Sequence, residues 1–165
     1  MNDQLPTRVL FLDIDGVLNS TKTAAAFGRY PYKIDEHHLF DQCALALIRK
    51  LCEHGNVSIC LSSSWRNDKD YHTYANAFDL PIFSRTPVHS ESRGHEIAAW
   101  LQDHPEVETW AIVDDDGDML NEQKSHFVHT NHHEGLTWAN FCQLCDLFSV
   151  SHYDCKPVSI GKIAG

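Results

Sequence analysis

The sequence predicts an α/β layered fold built on a parallel sheet. Three short apolar runs each stop abruptly in a polar cluster: Val9–Leu12 at Asp13, Val57–Leu61 at Ser62, and Trp110–Val113 at Asp114. Continuous apolar runs suit strands covered on both faces. Between them lie stretches with helical spacing, and alternating strands and helices imply right-handed crossovers.

The first strand is Val9–Leu12, with Gly16 soon after it to permit a sharp turn. Residues 20–34, which carry Thr21, Lys22, Phe27, Arg29, Tyr30 and Tyr32, read as a flap. Phe40, Cys43, Ala44, Leu47, Ile48 and Leu51 recur at helical spacing, and Gly55 supplies a stop. Val57–Leu61 follows as the second strand. Residues 68–78 read as a second helix, and Pro81–Phe83 as a weak strand. Ile97, Trp100 and Leu101 mark a third helix, starting near Gly94 and ending before Pro105. Trp110–Val113 and then Phe127–His129 complete the strands. Thr137 caps a fourth helix, with Trp138, Phe141, Cys142 and Cys145 on one face. Trp100, Trp110 and Trp138 read as core. Residues 1–151 are expected to form one domain and 152–165 a loose tail without periodicity.

Composition fits a soluble globular protein: 165 residues, 42% hydrophobic and 22% charged. Lys and Arg number 13 against 23 Asp and Glu, a net charge of −10. That balance argues against a broad nucleic-acid-coating surface, which needs clustered cations. No apolar run reaches membrane-spanning length and no secretory leader is readable, so a cytoplasmic location is expected. The six Cys are then reduced thiols rather than a disulfide framework. Cys142 and Cys145 read as buried core thiols, and the histidines between His126 and His133 as a solvated loop.

In open parallel sheets the ligand crevice lies beyond the carboxyl ends of the strands. Here those ends carry Asp13 and Asp15, then Ser62–Ser64, then Asp114–Asp116. Asp13 and Asp15 are two apart, so an extended backbone would point both carboxylates the same way. Asp114 is about a hundred residues further on. If its strand lies beside the first, the acids crowd. Two unit charges at 4 Å repel by about 4 kcal/mol at an effective dielectric near 20. Either some of the carboxylates stay protonated or a divalent ion sits among them, and oxygen-only ligands at an open site suit Mg²⁺. One acid alone reads as a turn residue and one serine as a helix cap, which is the role expected of Ser64.

The run Phe11-Leu12-Asp13-Ile14-Asp15-Gly16-Val17-Leu18-Asn19 resembles the DxDG[TV]L signature of the haloacid dehalogenase-like (HAD) superfamily. Ile59-Cys60-Leu61-Ser62 resembles its second motif. Ile112-Val113-Asp114-Asp115, with Asp118 beyond, resembles its fourth. The third motif is a basic residue, usually Lys; here Arg93 in Ser92-Arg93-Gly94-His95-Glu96-Ile97 stands at that place. The Ser-Ser-Trp-Arg run and Gly135-Leu136-Thr137 further resemble the small HAD domain of bacterial "Swiss Army Knife" RNA-repair proteins and stand-alone relatives.

The resemblance implies a three-layer Rossmann-like sheet with helices on both faces. It also implies a Mg²⁺-dependent phosphomonoester hydrolase working through an aspartyl-phosphate. Asp13 would be the nucleophile and Asp15 the acid and base. Mg²⁺ would be held by Asp13, the backbone carbonyl of Asp15, Asp114 and Asp115. Ser62, or Ser63 if the strand ends one residue later, would contact a phosphoryl oxygen. Arg93 would pair with the phosphoryl group, with Arg66 and Lys69 as competitors. Ser63, Arg66, Gly16 and Lys22 are candidate substrate contacts.

Such enzymes often insert a cap after the first or second motif. Here roughly 40 residues separate Asn19 from Ile59, one helix taking half, and 26 residues run from Asn67 to Ser92. Neither holds a domain, so an essentially capless, open site is expected. An open site suits a phosphorylated substrate such as a nucleotide or nucleic-acid end, with no membrane and no obligate protein partner readable. A phosphotransferase of the same fold, or a non-catalytic scaffold that binds phosphate or a partner, are the alternatives.

Overall fold

The computed structural model describes residues 4–88 and 91–153. Most of the expected tail, 154–165, lies outside the described residues. Five strands form one fully parallel sheet: β1 (Arg8–Leu12), β2 (Ser58–Leu61), β3 (Ile82–Arg85), β4 (Thr109–Asp114) and β5 (Phe127–His129). Their spatial order is β3-β2-β1-β4-β5. The chain winds outward from β1 through β2 to β3, then returns to β1's other side for β4. The order therefore reverses between β1 and β4, where open sheets place their ligand crevice.

Side chains alternate across the sheet, and each face has its own helices. Leu10, Leu12, Ile59, Leu61 and Val113 pack against α2 (Gln42–Gly55), α3 (Tyr71–Phe78) and α5 (Trp138–Leu147), through Ile48, Leu51, Tyr74, Phe78, Phe141 and Leu144. Val9, Phe11, Cys60 and Ile112 face the other way, onto Ile97 and Trp100 of α4 (Arg93–Gln102). Phe11 meets Trp100 edge-on at 5.3 Å. Helices thus cover both faces, and the apolar runs lack polar alternation because neither face meets water.

Caps set the helix limits. The Asp41 carboxylate accepts from the Ala44 N–H at 3.0 Å and starts α2. Its end is one residue later than expected: Gly55 is still helical, and Asn56 takes the left-handed turn at φ 50°. Thr137 caps α5 as expected, in a box with Asn140. The expected flap is largely ordered. Ser20 and Thr23 form a capping box, and Thr21–Phe27 is a helix, α1, closed by Gly28 at φ 96°. Only a short irregular segment and one 3₁₀ turn, His37–Leu39, separate it from α2. Between β2 and α4 lie one 3₁₀ turn, α3 and β3. Among the described residues no inserted domain covers the crevice, as expected of an essentially capless fold.

Three further expectations are corrected. Trp138 is 49% exposed, because it sits in the first turn of α5 above the core. Cys142 is only half-buried, while Cys145 is in the core. The histidine stretch is solvated only in part: His126 stacks on Trp110 at 3.9 Å and His129 ends β5, while His132 and His133 sit exposed in the turn that follows. Among the described residues, no helix is long and apolar enough to cross a membrane.

Candidate active site

Register brings the polar strand ends level. Leu12 pairs with both Leu61 and Val113. The Asp13 N–H then donates to the Val113 carbonyl at 3.1 Å, and the Ser62 N–H to the Leu12 carbonyl at 3.0 Å. Asp13, Asp114 and Asp115 each present an oxygen, and these atoms lie within 4.8 Å of one another. Asp13 and Asp114 are buried; Asp115 is partly open. Gly16 makes room for this convergence. It sits at φ +76°, and a Cβ there would lie 2.3 Å from the Asp115 carboxyl carbon.

The crowding has the electrostatic cost expected of it. Burial, then the Asp13 charge, pushes the Asp114 carboxyl up to about 9. Burial also raises Asp13, against the opposing influence of Arg93 and a hydrogen bond from Ser63. Arg93 reaches in from the first turn of α4, its Nη1 3.1 Å from Asp114 Oδ2 and 3.6 Å from Asp13 Oδ1. One guanidinium does not balance three carboxylates. An all-oxygen donor set with surplus negative charge fits a hard divalent cation.

Asp15 has partners of its own. The chain leaves the strand after Leu12, and the Ile14 carbonyl accepts from the Val17 and Leu18 N–H groups in a tight turn. Strict alternation therefore stops at the end of the strand. Asp15 Oδ2 accepts from Trp65 Nε1 and Oδ1 from Asn19 Nδ2, both at 2.9 Å. Its carboxylate is not among the converging three.

The remaining expected residues divide. Ser62 Oγ is fully buried without a hydrogen-bond partner, while Ser63 bonds to Asp13. Ser63, rather than Ser64, also caps the next turn, accepting from the Trp65 N–H. Arg66 is buried on Glu96 at 2.7 Å and donates to the Ser62 and Ser63 carbonyls at 3.0 and 2.7 Å. It fastens the serine loop to α4. Lys22 lies apart from the acids and pairs with Glu134 at 3.3 Å. The Asp118 carboxylate accepts the Arg93 N–H at 3.0 Å, so it caps α4.

Sequence reasoning passed over Asn19, Glu96 and His132. Glu96 lies 3.7 Å from Arg93 at an i,i+3 spacing that could have been read. His132 holds Asp115 at 3.1 Å across 17 positions and carries no local signal.

Sheet order and site together define a Rossmann-like α/β domain with a carboxylate cluster at its switch point. The family described as the HAD domain in Swiss Army Knife RNA repair proteins matches over residues 9–141, and the chain belongs to it. Searches of curated proteins and of solved structures return no match. HAD domains are broadly hydrolase-type and typically use a divalent metal.

Proposed function

We propose that the chain is a phosphomonoester hydrolase that works through an aspartyl-phosphate and uses Mg²⁺. The observation that carries this reading is the convergence of Asp13, Asp114 and Asp115, with Arg93 Nη1 beside the first two. Asp13, Asp114, Asp115 and the main-chain carbonyl of Asp15 would hold the ion. When bound, it would keep the buried carboxylates ionised and offset charge on the phosphoryl group.

Asp13 attacks phosphorus in line, forming one P–O bond as the ester P–O bond breaks. Asp15 gives its proton to the leaving oxygen. It then takes a proton from the water that attacks phosphorus, releasing Asp13 and inorganic phosphate. Its two donors, Trp65 and Asn19, fix the carboxylate for that role. Arg93 pairs with the phosphoryl oxygens, and Ser62 at the β2 end offers a buried hydroxyl without a partner. Gly16 shapes the crevice. Arg66 supports the loop rather than the substrate, and Lys22 lies outside the reaction.

Nucleotides and nucleic-acid ends are the candidate substrates, because the crevice is uncapped. The test is hydrolysis of an aryl phosphate with and without Mg²⁺, alongside Asp13→Asn. Metal-dependent release lost in the variant, with unchanged circular dichroism, is expected. Hydrolysis retained by Asp13→Asn would remove the nucleophile.

A further inference from the structure

Asp15 borders a cavity of about 450 Å³ whose other walls include Asn19, Tyr30, Tyr32, Trp65 and His132. A second cavity of about 510 Å³ adjoins it, sharing Tyr32 and Trp65. We infer that the cleft beside Asp15 is the leaving-group site, and that it takes a single nucleoside with its base among these rings. The inference rests on the hydrolase reading above, because it takes Asp15 as the proton donor to the leaving oxygen.

Direction comes first. A leaving group protonated by Asp15 must lie on the open side of that carboxylate. The cavity lined by Asp15 is that side, and three aromatic side chains and a histidine face it. Its volume suits one ring system with a sugar.

The rings are also held in place. Tyr30 Oη bonds to Thr21 Oγ1 at 3.0 Å, and its ring stacks with His132 at 6.3 Å. Trp65 is tied to Asp15. The Tyr32 N–H donates to Glu36 Oε2 at 2.7 Å, and Arg29 lies over the Tyr32 ring at 5.4 Å while pairing with Glu36. Tyr32 is nevertheless 75% exposed. A large ring on an anchored main chain and open to solvent offers a stacking surface.

Charge narrows the ligand. Lys33 and Lys69 of the adjoining cavity stand with Asp35 and Asp68, and the chain carries −10 overall. A long polyanion finds no cationic track there. Recognition by stacking of one base remains.

The test uses Asp13→Asn, which is expected not to turn over, and wild type. Adenosine is titrated into Asp13→Asn while tryptophan fluorescence is followed, because Trp65 lines the cleft. Saturable quenching is expected, weakened about tenfold by adding Tyr32→Ala, equal to ~1.4 kcal/mol. In the otherwise wild-type enzyme, Tyr32→Ala should raise KM for adenosine monophosphate about tenfold and leave kcat/KM for ribose 5-phosphate unchanged. A terminally phosphorylated oligonucleotide should show a KM no lower than the mononucleotide. Absent quenching, or equal loss on both small substrates, overturns the cleft assignment. An oligonucleotide preferred by more than tenfold overturns the single-nucleoside occupant. Quenching by adenosine with no hydrolysis of any phosphate would overturn the hydrolase reading and with it the leaving-group role, leaving the cleft as a nucleoside site.

Discussion

The indole N–H of Trp65 donates to Asp15 Oδ2 at 2.9 Å while Asn19 holds Oδ1, so both oxygens of that carboxylate are engaged. Trp65→Phe keeps an aromatic ring and removes the donor. A hydrogen bond to a charged group contributes ~1.5–3 kcal/mol. We expect kcat on an aryl phosphate to fall about tenfold with KM nearly unchanged. Steady-state kinetics check this, and an unaltered kcat would detach Asp15 from proton transfer.

The acid pair makes metal-free stability depend on pH. Folding raises Asp114 from the ordinary 3.8 to about 9. A raised pKa favours the protonated folded form, so this stabilisation is complete below about pH 4 and is lost as pH climbs toward 9. Thermal unfolding in chelator should therefore show the midpoint falling over that range, with Mg²⁺ restoring it. Asp114→Asn removes the buried charge. It should raise the chelator midpoint at pH 8 by about 2–4 °C for each kcal/mol recovered and abolish activity. A variant no more stable than wild type at pH 8 would contradict the electrostatic account.

Gly16→Ala places a methyl 2.3 Å from the Asp115 carboxyl carbon at a left-handed φ. The backbone strain costs about 1–2 kcal/mol, and Asp115 must move. The Mg²⁺-induced rise in melting temperature should shrink sharply, while far-ultraviolet circular dichroism stays native. An undiminished rise would exclude Asp115 from the ion.

Glu96→Ala leaves Arg66 buried without its 2.7 Å partner. Breaking a buried pair from one side costs about 3–5 kcal/mol. Urea unfolding should show a loss of that size. A loss under 1 kcal/mol would mean that the backbone carbonyls alone hold Arg66.

Burial pushes the Cys52 thiol up to about 12, and raises Cys60 as well, whereas Cys43 is exposed. Thiolates are the reactive species. Iodoacetamide at pH 8 should label Cys43 in the native protein and spare Cys52 and Cys60 until unfolding. Peptide mass spectrometry reads the order, and equal labelling rates would refute it.

The strands of the central sheet were legible because burial on both faces leaves an uninterrupted apolar run, as in Val9–Leu12. The acids at their ends could be named, but not their directions. The chain turns immediately after β1, and a period-two argument, which holds only inside a strand, does not extend to Asp15. Arg66 looked like a phosphate contact. Its partner Glu96 lies 30 positions away, and only tertiary packing brings them together. Residues 20–34 looked irregular because α1 is seven residues long and fixed by its cap rather than by apolar periodicity. His132 gave no warning, since its role depends on where the loop after β5 crosses Asp115.

Pairing of β1 with β4 joins segments about a hundred positions apart, and such distant closure is slow and comes at a high entropic cost. The acid cluster has no local precursor: a nascent chain that has not yet delivered Asp114 and Asp115 holds only Asp13 of it. Acquisition of the proposed Mg²⁺ affinity during refolding would thus serve as a clock for the docking of the two halves of the sheet.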